Sequence, residues 1–266
     1  MEVGNDKDGP GLLITRSARA AARSKLDFRY RTGMPLTLQT ASSGRSAGPT
    51  QDVYVLAAHP AWRESRVNVR LMDAAKATAR VRVQDLYSNY PDYTIDVQAE
   101  QAALMRARLV VLLHPIQWYS MPALQKLWLD DVLTYGWAYG DGRNNDGTVS
   151  GRALAGKDLW LVATTGGPDN SYHPQGYNRY FFEAFLPPYE QTAAVCGMRF
   201  LPPLILHGAH DQSPEALTAH VQTFSNRLQS YPDWPEMDEL EQCPACVVPM
   251  KDRPQELSGV TQQRGL

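Results

Sequence analysis

From residue 52 to residue 230 the chain alternates between two patterns of hydrophobic and polar positions. One is a short apolar or alternating run bounded by polar residues, the signature of a strand. It recurs at 53–58, 81–86, 109–113, Asp158–Thr164 and Arg199–Leu206. The other places apolar residues three or four apart, as on one face of a helix. Val67, Leu71 and Ala75 predict a helix over 66–79, and Val97, Leu104 and Ala107 one over 96–108. Leu124, Leu127, Trp128 and Val132 predict a third over 123–135. A fourth helix is expected over 183–196, interrupted by Pro187 and Pro188, and the last over Pro214–Ser230 with Ser213 as its N-cap. The stretch 87–95 is read as an aromatic-rich connection and 136–156 as a Gly-, Asn- and Asp-rich loop.

Strands that alternate with helices predict an α/β fold, because crossover helices cover both faces of a parallel sheet. The simplest topology for five strands is a flavodoxin-like three-layer sandwich with strand order 2-1-3-4-5. Pro202 and Pro203 inside the fifth strand predict an edge position or a bulge, since proline cannot donate to a ladder. The domain is expected over 51–231. Residues 1–50 are expected to be a disordered extension, or the product of a start codon placed upstream. Their Ala- and Arg-rich part also fits a transient helix, a binder of acidic surfaces or lipids, or an organelle leader by composition. Residues 232–266 form an acidic, proline-containing tail.

Composition narrows the class without naming the chemistry. The chain has 266 residues, 43% hydrophobic and 20% charged, as in a water-soluble globular protein. A formal net charge of −2 offers no basic footprint for nucleic acid. Three cysteines make no disulfide framework and fit a reducing cytoplasm. Cys243 and Cys246 form a lone CxxC, short of the four ligands of a structural zinc, so no metal site is expected. His207, His210 and His220 lack a matching ligand set and are read as surface or packing residues.

Candidate chemistry lies in three loops that parallel topology brings to one sheet edge, the edge where open α/β sheets bind ligands. The first, 59–68, runs into a helix N-terminus, where free N–H groups and the helix dipole favour an anion. His59, Ser65, Arg66, Val67 and Asn68 supply or flank its donors. It has neither a GxGxxG nor a P-loop pattern, which leaves a mononucleotide phosphate open. A helix cap with scattered polar residues explains this loop equally well when taken alone. The second, His114-Pro115-Ile116-Gln117-Trp118-Tyr119-Ser120-Met121-Pro122, presents an amide and two aromatic side chains between prolines, a platform for a planar heterocycle or a set of packing aromatics. The third, beginning Thr164-Thr165-Gly166-Gly167, allows close backbone approach, or is a tight turn with no ligand. Together they suit flavin mononucleotide (FMN): phosphate at the first loop, ring at the second, ring edge at the third.

With Ala58-His59-Pro60, the HPIQWYS string from His114, Gly136-Trp137-Ala138-Tyr139-Gly140, the Thr-Thr-Gly-Gly turn and Cys196-Gly197-Met198, the stretch 53–228 resembles the flavodoxin-like NAD(P)H:quinone oxidoreductases. That family includes the mammalian diaphorases, and the resemblance is closest to the ancillary proteins of bacterial glutathione-regulated potassium-efflux systems. The resemblance implies FMN held by His59 and 65–68, with Gln117, Trp118, Tyr119, Ser120, Thr164, Thr165, Gly166 and Gly167 around the ring. It implies ping-pong hydride transfer from NADPH or NADH to a quinone, a homodimer, and an antiporter partner that would hold a cytoplasmic protein peripherally at the inner membrane. It places the 136–140 string near the ring and the dimer partner. It sets Tyr172 at the position of a proton-donating tyrosine, while Asn178 occupies the place of the family's histidine and His173 lies at a different offset. The alternatives are a regulatory antiporter subunit and a flavodoxin-like electron carrier with little turnover.

Overall fold

The computed structural model describes residues 52–140, 151–238 and 240. The expected N-terminal extension, residues 141–150 of the 136–156 loop, and the tail residues Glu239, Glu241, Cys243 and Cys246 lie outside the described residues. Five strands, β1 (Val53–Ala57), β2 (Val81–Asp85), β3 (Leu109–Pro115), β4 (Asp158–Thr164) and β5 (Arg199–Leu206), form one sheet in the order β2-β1-β3-β4-β5. Every pairing is parallel. The expected fold and strand order are those observed.

Two-sided burial explains the continuous apolar runs. All residues of β1 and all of β4 are buried, as parallel strands covered on both faces must be. On one face Tyr54, Leu56, Val110, Leu112 and Leu161 meet Leu104 of α3 (Val97–Arg106), Trp128 of α4 (Ala123–Val132) and Tyr189 of α5 (Pro187–Val195). On the other, Val55, Val111 and Trp160 meet Leu71 of α1 (Asn68–Ala77) and Phe224 of α6 (Pro214–Ser230). The acidic segment after α6 contributes to this second face. Trp234 is buried there, with its ring 4.9 Å from that of Trp160.

Several local differences from the sequence expectation have plain causes. Leu86–Asn89 forms a short helix, α2, where a connection was expected, because the Asp85 side chain caps it by accepting from Ser88 N–H. Pro187 and Pro188 begin α5 rather than interrupt it; proline at the first turn removes only N–H groups that lack helical partners. β3 continues two residues past the expected end, to Pro115, because Ala163 and Thr164 of β4 continue beside it. Pro202 and Pro203 do lie on an edge strand, opposite a register shift between Trp160 and Val162. Ser213 caps α6, accepting from Ala216 N–H at 3.2 Å. No helix among the described residues is long and apolar enough to cross a membrane.

Candidate functional site

β1 and β3 are sheet neighbours although β2 and the helices α1, α2 and α3 separate them in sequence, so the crossovers leave β1 and β3 in opposite directions. That divergence opens a crevice at the carboxyl ends of the strands. Ile116 N–H donates to Thr164 O at 2.7 Å, and Thr165 N–H to Leu206 O at 3.0 Å, which keeps the loops after β3, β4 and β5 level.

A cleft of about 310 Å³ opens there, lined by residues of the first loop, the second loop and the Thr-Thr-Gly turn. Of the predicted residues it gathers His59, Ser65, Arg66, Val67, Asn68, Gln117, Thr164, Thr165 and Gly166. Asn68 is the first residue of α1 and is buried; its Nδ2 donates to Thr164 Oγ1 at 2.9 Å. Its Oδ1 is buried without a partner, an orphan of the kind that marks a polar ligand or water. Val67 gives α1 no side-chain cap, and Ser65 supplies one by accepting from Val69 N–H at 3.3 Å. His59 Nδ1 accepts from Ala61 N–H at 3.1 Å, which leaves Nε2 as the donor of a neutral ring. Burial holds the His59 pKa below its ordinary value, with Glu64 opposing.

A second cleft of about 290 Å³ shares Ile116 and Gly166 with the first. It gathers Trp118, Tyr119, Gly167 and Tyr172, together with Tyr177 and Asn178. Gln117 and Ser120 exchange both backbone hydrogen bonds, at 2.9 and 3.0 Å, so Trp118 and Tyr119 are the central pair of a two-residue turn. Both have positive φ, 48° and 64°, the backbone of a type I′ turn that asparagine and glycine normally occupy. An aromatic residue there is strained by roughly 1–2 kcal/mol. Trp118 is nonetheless 94% exposed, so its own packing does not offset the strain. Backbone strain of this kind clusters at ligand clamps and switch regions, and here it lies at the edge of a cleft. Tyr119 is fixed by stacking on Phe185, centroids 5.2 Å apart, and by donating to Asn178 Oδ1 at 3.2 Å.

Ser120 lines neither cleft; its backbone closes the turn and its side chain lies beside the Tyr189 hydroxyl. The 136–140 string is also away from both clefts, and its Tyr139 packs at the partly covered edge between α4 and α5. Tyr172 is buried, which raises its pKa, while the Thr165 side chain pulls the other way.

A fourth loop, after β5, belongs to the site and carries two of the histidines read as surface or packing residues. Ala209 and His210 line the first cleft, and Arg66 Nη1 donates to His210 O at 2.6 Å across its mouth. His207 Nδ1 lies 3.1 Å from Thr165 Oγ1. The third, His220, packs on α6 as read. The available sequence signal was position, since His207 immediately follows the fifth strand and therefore falls on the same sheet edge.

A family model described as Flavodoxin-like fold matches residues 51–228. The glutathione-regulated potassium-efflux system ancillary protein KefG of Yersinia enterocolitica is 43% identical over 178 residues, 67% of this chain and 92% of that protein. General stress protein 14 of Treponema denticola, solved in complex with FMN, is 33% identical with a TM-score of 0.58, over 68% of this chain and 97% of that one. A protein from P. pentosaceus described as NADPH-quinone reductase is 25% identical with a TM-score of 0.58, over 66% and 97% of the two chains.

Proposed function

The chain belongs to the Flavodoxin-like fold family, and from that premise we propose that it is an FMN-dependent NAD(P)H:quinone oxidoreductase. The observation that carries the reading is the pair of joined clefts at the β1/β3 crevice, one ending at the N-terminus of α1 and the other walled by the strained Trp118-Tyr119 turn. The residues fit the cofactor. Asn68 Oδ1 is buried and unpartnered beside the helix N-terminus, and Gly166 and Gly167 present no Cβ to a flat ring. Together the clefts are large enough for a mononucleotide. A homologue of 33% identity was solved with FMN.

Bound there, the flavin would supply two-electron hydride chemistry. The chain's own residues do the rest. The first turn of α1, with Ser65, Asn68 and the neutral His59, holds the phosphate and ribityl end. Gln117, Trp118 and Tyr119 wall the ring, and Thr164 through Gly167 meet its edge with backbone groups. The second cleft admits the nicotinamide of NADPH or NADH and then, after its departure, the quinone. Tyr172, kept protonated by burial, donates a proton to the quinone oxygen. Solvent access through the exposed rim serves the same end.

A second reading, compatible with the first, is a regulatory role at a potassium/proton antiporter, favoured by the identity to an efflux-system ancillary protein. It would place a cytoplasmic homodimer at the inner membrane through its partner. Unchanged potassium efflux after deletion of the gene, in cells challenged with glutathione adducts, would contradict it. The enzyme reading is tested by adding FMN to purified protein and following NADPH and NADH oxidation with menadione. Turnover with either nucleotide supports it and excludes a pure electron carrier. FMN retention without turnover would leave the carrier.

A further inference from the structure

Among the described histidines, His207 differs from one that merely packs. His220 is buried on α6 with no partner for Nε2. Both ring nitrogens of His207, by contrast, face polar groups: Nδ1 lies 3.1 Å from Thr165 Oγ1 and Nε2 lies 3.5 Å from Asp169 Oδ1. Its ring is walled by Tyr172 and Phe182, with centroids 5.1 and 5.0 Å away. The backbone on either side is fixed. Gln212 Nε2 donates to His207 O at 2.7 Å, and Gly208 and Ala209 N–H groups donate to Gly167 O and Thr165 O. The β5–α6 loop is thus tied to the turn that lines both clefts.

We propose that His207 is a positioning residue that resupplies the Tyr172 proton through the Thr165 hydroxyl when the acceptor is reduced. The inference rests on the quinone-reductase reading above. Thr165 Oγ1 donates to Gly167 O at 2.8 Å, so its free lone pairs accept from a protonated Nδ1 of His207. The Thr165 hydroxyl also neighbours the Tyr172 phenol. The chain Asp169, His207, Thr165, Tyr172 therefore leads from an exposed carboxylate, 89% accessible, to a buried phenol at the second cleft.

The balance is simple. Reduction of a quinone needs one proton besides the hydride that a bound, reduced FMN would supply; it comes from Tyr172, whose O–H bond breaks as an O–H bond forms on the quinone oxygen. The Thr165 hydroxyl turns from Gly167 O to give its proton to the phenolate and takes the His207 Nδ1 proton in its place, and water delivers a proton to Nε2 beside Asp169. Exchange with water then restores the starting tautomer. One solvent proton is consumed for each quinone reduced. The groups that set the His207 charge are Asp169 and Glu183, which favour its protonation, against burial, which opposes it more strongly; Tyr172 and Phe182 complete its surroundings. A protonated His207 is the better donor, so the acceptor step should quicken as pH falls through its titration, below the ordinary histidine range.

The test uses the FMN-loaded full chain and two variants. In His207→Gln the acid limb of the quinone step should vanish and the step should slow about tenfold, less than the roughly 10²–10⁴-fold of a direct general acid because His207 acts through two other groups, while FMN affinity holds. In Asp169→Asn the exposed carboxylate is lost without disturbing the core. The His207 midpoint, read by NMR in the ligand-free chain, should move to lower pH, and the acid limb should move with it. A wild-type pH profile in His207→Gln, or a His207 midpoint that moves in Asp169→Asn while the acid limb stays, would overturn the proposal. Failure of the wild-type chain to take up FMN would instead overturn the function on which it rests.

Discussion

Asn68 Nδ2 donates to Thr164 Oγ1 at 2.9 Å, joining the first residue of α1 to the last residue of β4 across the crevice. Both side chains are buried, and the second polar atom of Asn68 has no partner. The residue therefore does two things, bracing the floor of the cleft and offering an acceptor to whatever fills it. Asn68→Ala should weaken FMN binding about tenfold, since a buried hydrogen bond and its orphaned partner together amount to roughly 1–2 kcal/mol. Quenching of FMN fluorescence on titration with protein measures this directly.

The strained turn gives a prediction of opposite sign for stability and function. Replacing Trp118 with Asn and Tyr119 with Gly installs the residues that positive φ prefers. Relief of roughly 1–2 kcal/mol per residue exceeds the loss of the Tyr119–Phe185 stack, roughly 0.5–1.5 kcal/mol. The double variant should be more stable than the parent by about 1 kcal/mol in urea denaturation, by the same balance. Its quinone turnover should nevertheless fall, because the walls of the second cleft are gone. A destabilised variant with full activity would show that the turn is structural.

Away from the site, Glu100 is a buried hub. It accepts from Tyr54 and Tyr90 hydroxyls, each at 2.6 Å, from Gln84 Nε2 at 2.7 Å and from Trp128 Nε1 at 2.8 Å. These donors come from β1, β2, α4 and the segment after α2, so one carboxylate ties four pieces of the sandwich together. Glu100→Ala leaves four buried donors unpaired and should cost about 3 kcal/mol or more, measured by chemical denaturation. Burial and the neighbouring Glu100 charge raise the Tyr54 and Tyr90 pKa values. Their neutral forms are favoured in the folded state, so this contribution is intact below the unfolded tyrosine pKa and is lost as pH rises above it.

His114 supplies the acid side. It is fully buried, stacked on Tyr189 at 5.8 Å, and its pKa is pushed down to about 4 by burial. A depressed folded pKa means that the unfolded chain takes up the proton first. Stability is therefore intact above the ordinary histidine value and falls as pH drops from about 6.5 towards 4, by about 3 kcal/mol in all. His59, His207 and His220 shift in the same direction. His114→Phe should flatten part of this slope, seen as a smaller difference between denaturation midpoints at neutral pH and at pH 5.

The strands and long helices were legible because two-sided burial writes itself as apolar runs and one-sided burial as helical spacing. β4, β5 and α6 occupy the residues expected for them. The short helix α2 was hidden because four residues carry no period; only the capping bond from Asp85 declares it. Pro187 and Pro188 misled because proline breaks a helix everywhere except at its first turn, and the sequence does not mark which turn is first. The loops after β1, β3 and β4 were legible from parallel topology and from the motifs they carry. His207 and His210 were not, because histidines are weighed in a sequence by ligand spacing, whereas these act through partners 42 and 144 residues away. The strain at Trp118 and Tyr119 is likewise a backbone property that no residue pattern announces.

The central claim is that the joined clefts hold a flavin that passes two electrons from a nicotinamide to a quinone. Anaerobic titration tests it most directly: protein saturated with FMN is freed of excess cofactor, reduced with NADPH or NADH, and then mixed with menadione while the flavin absorbance is followed. The account predicts retention of one FMN per chain, bleaching by one equivalent of nucleotide, and full recovery of colour by one equivalent of quinone. A chain that emerges colourless, or retained FMN that neither nucleotide bleaches, would contradict it.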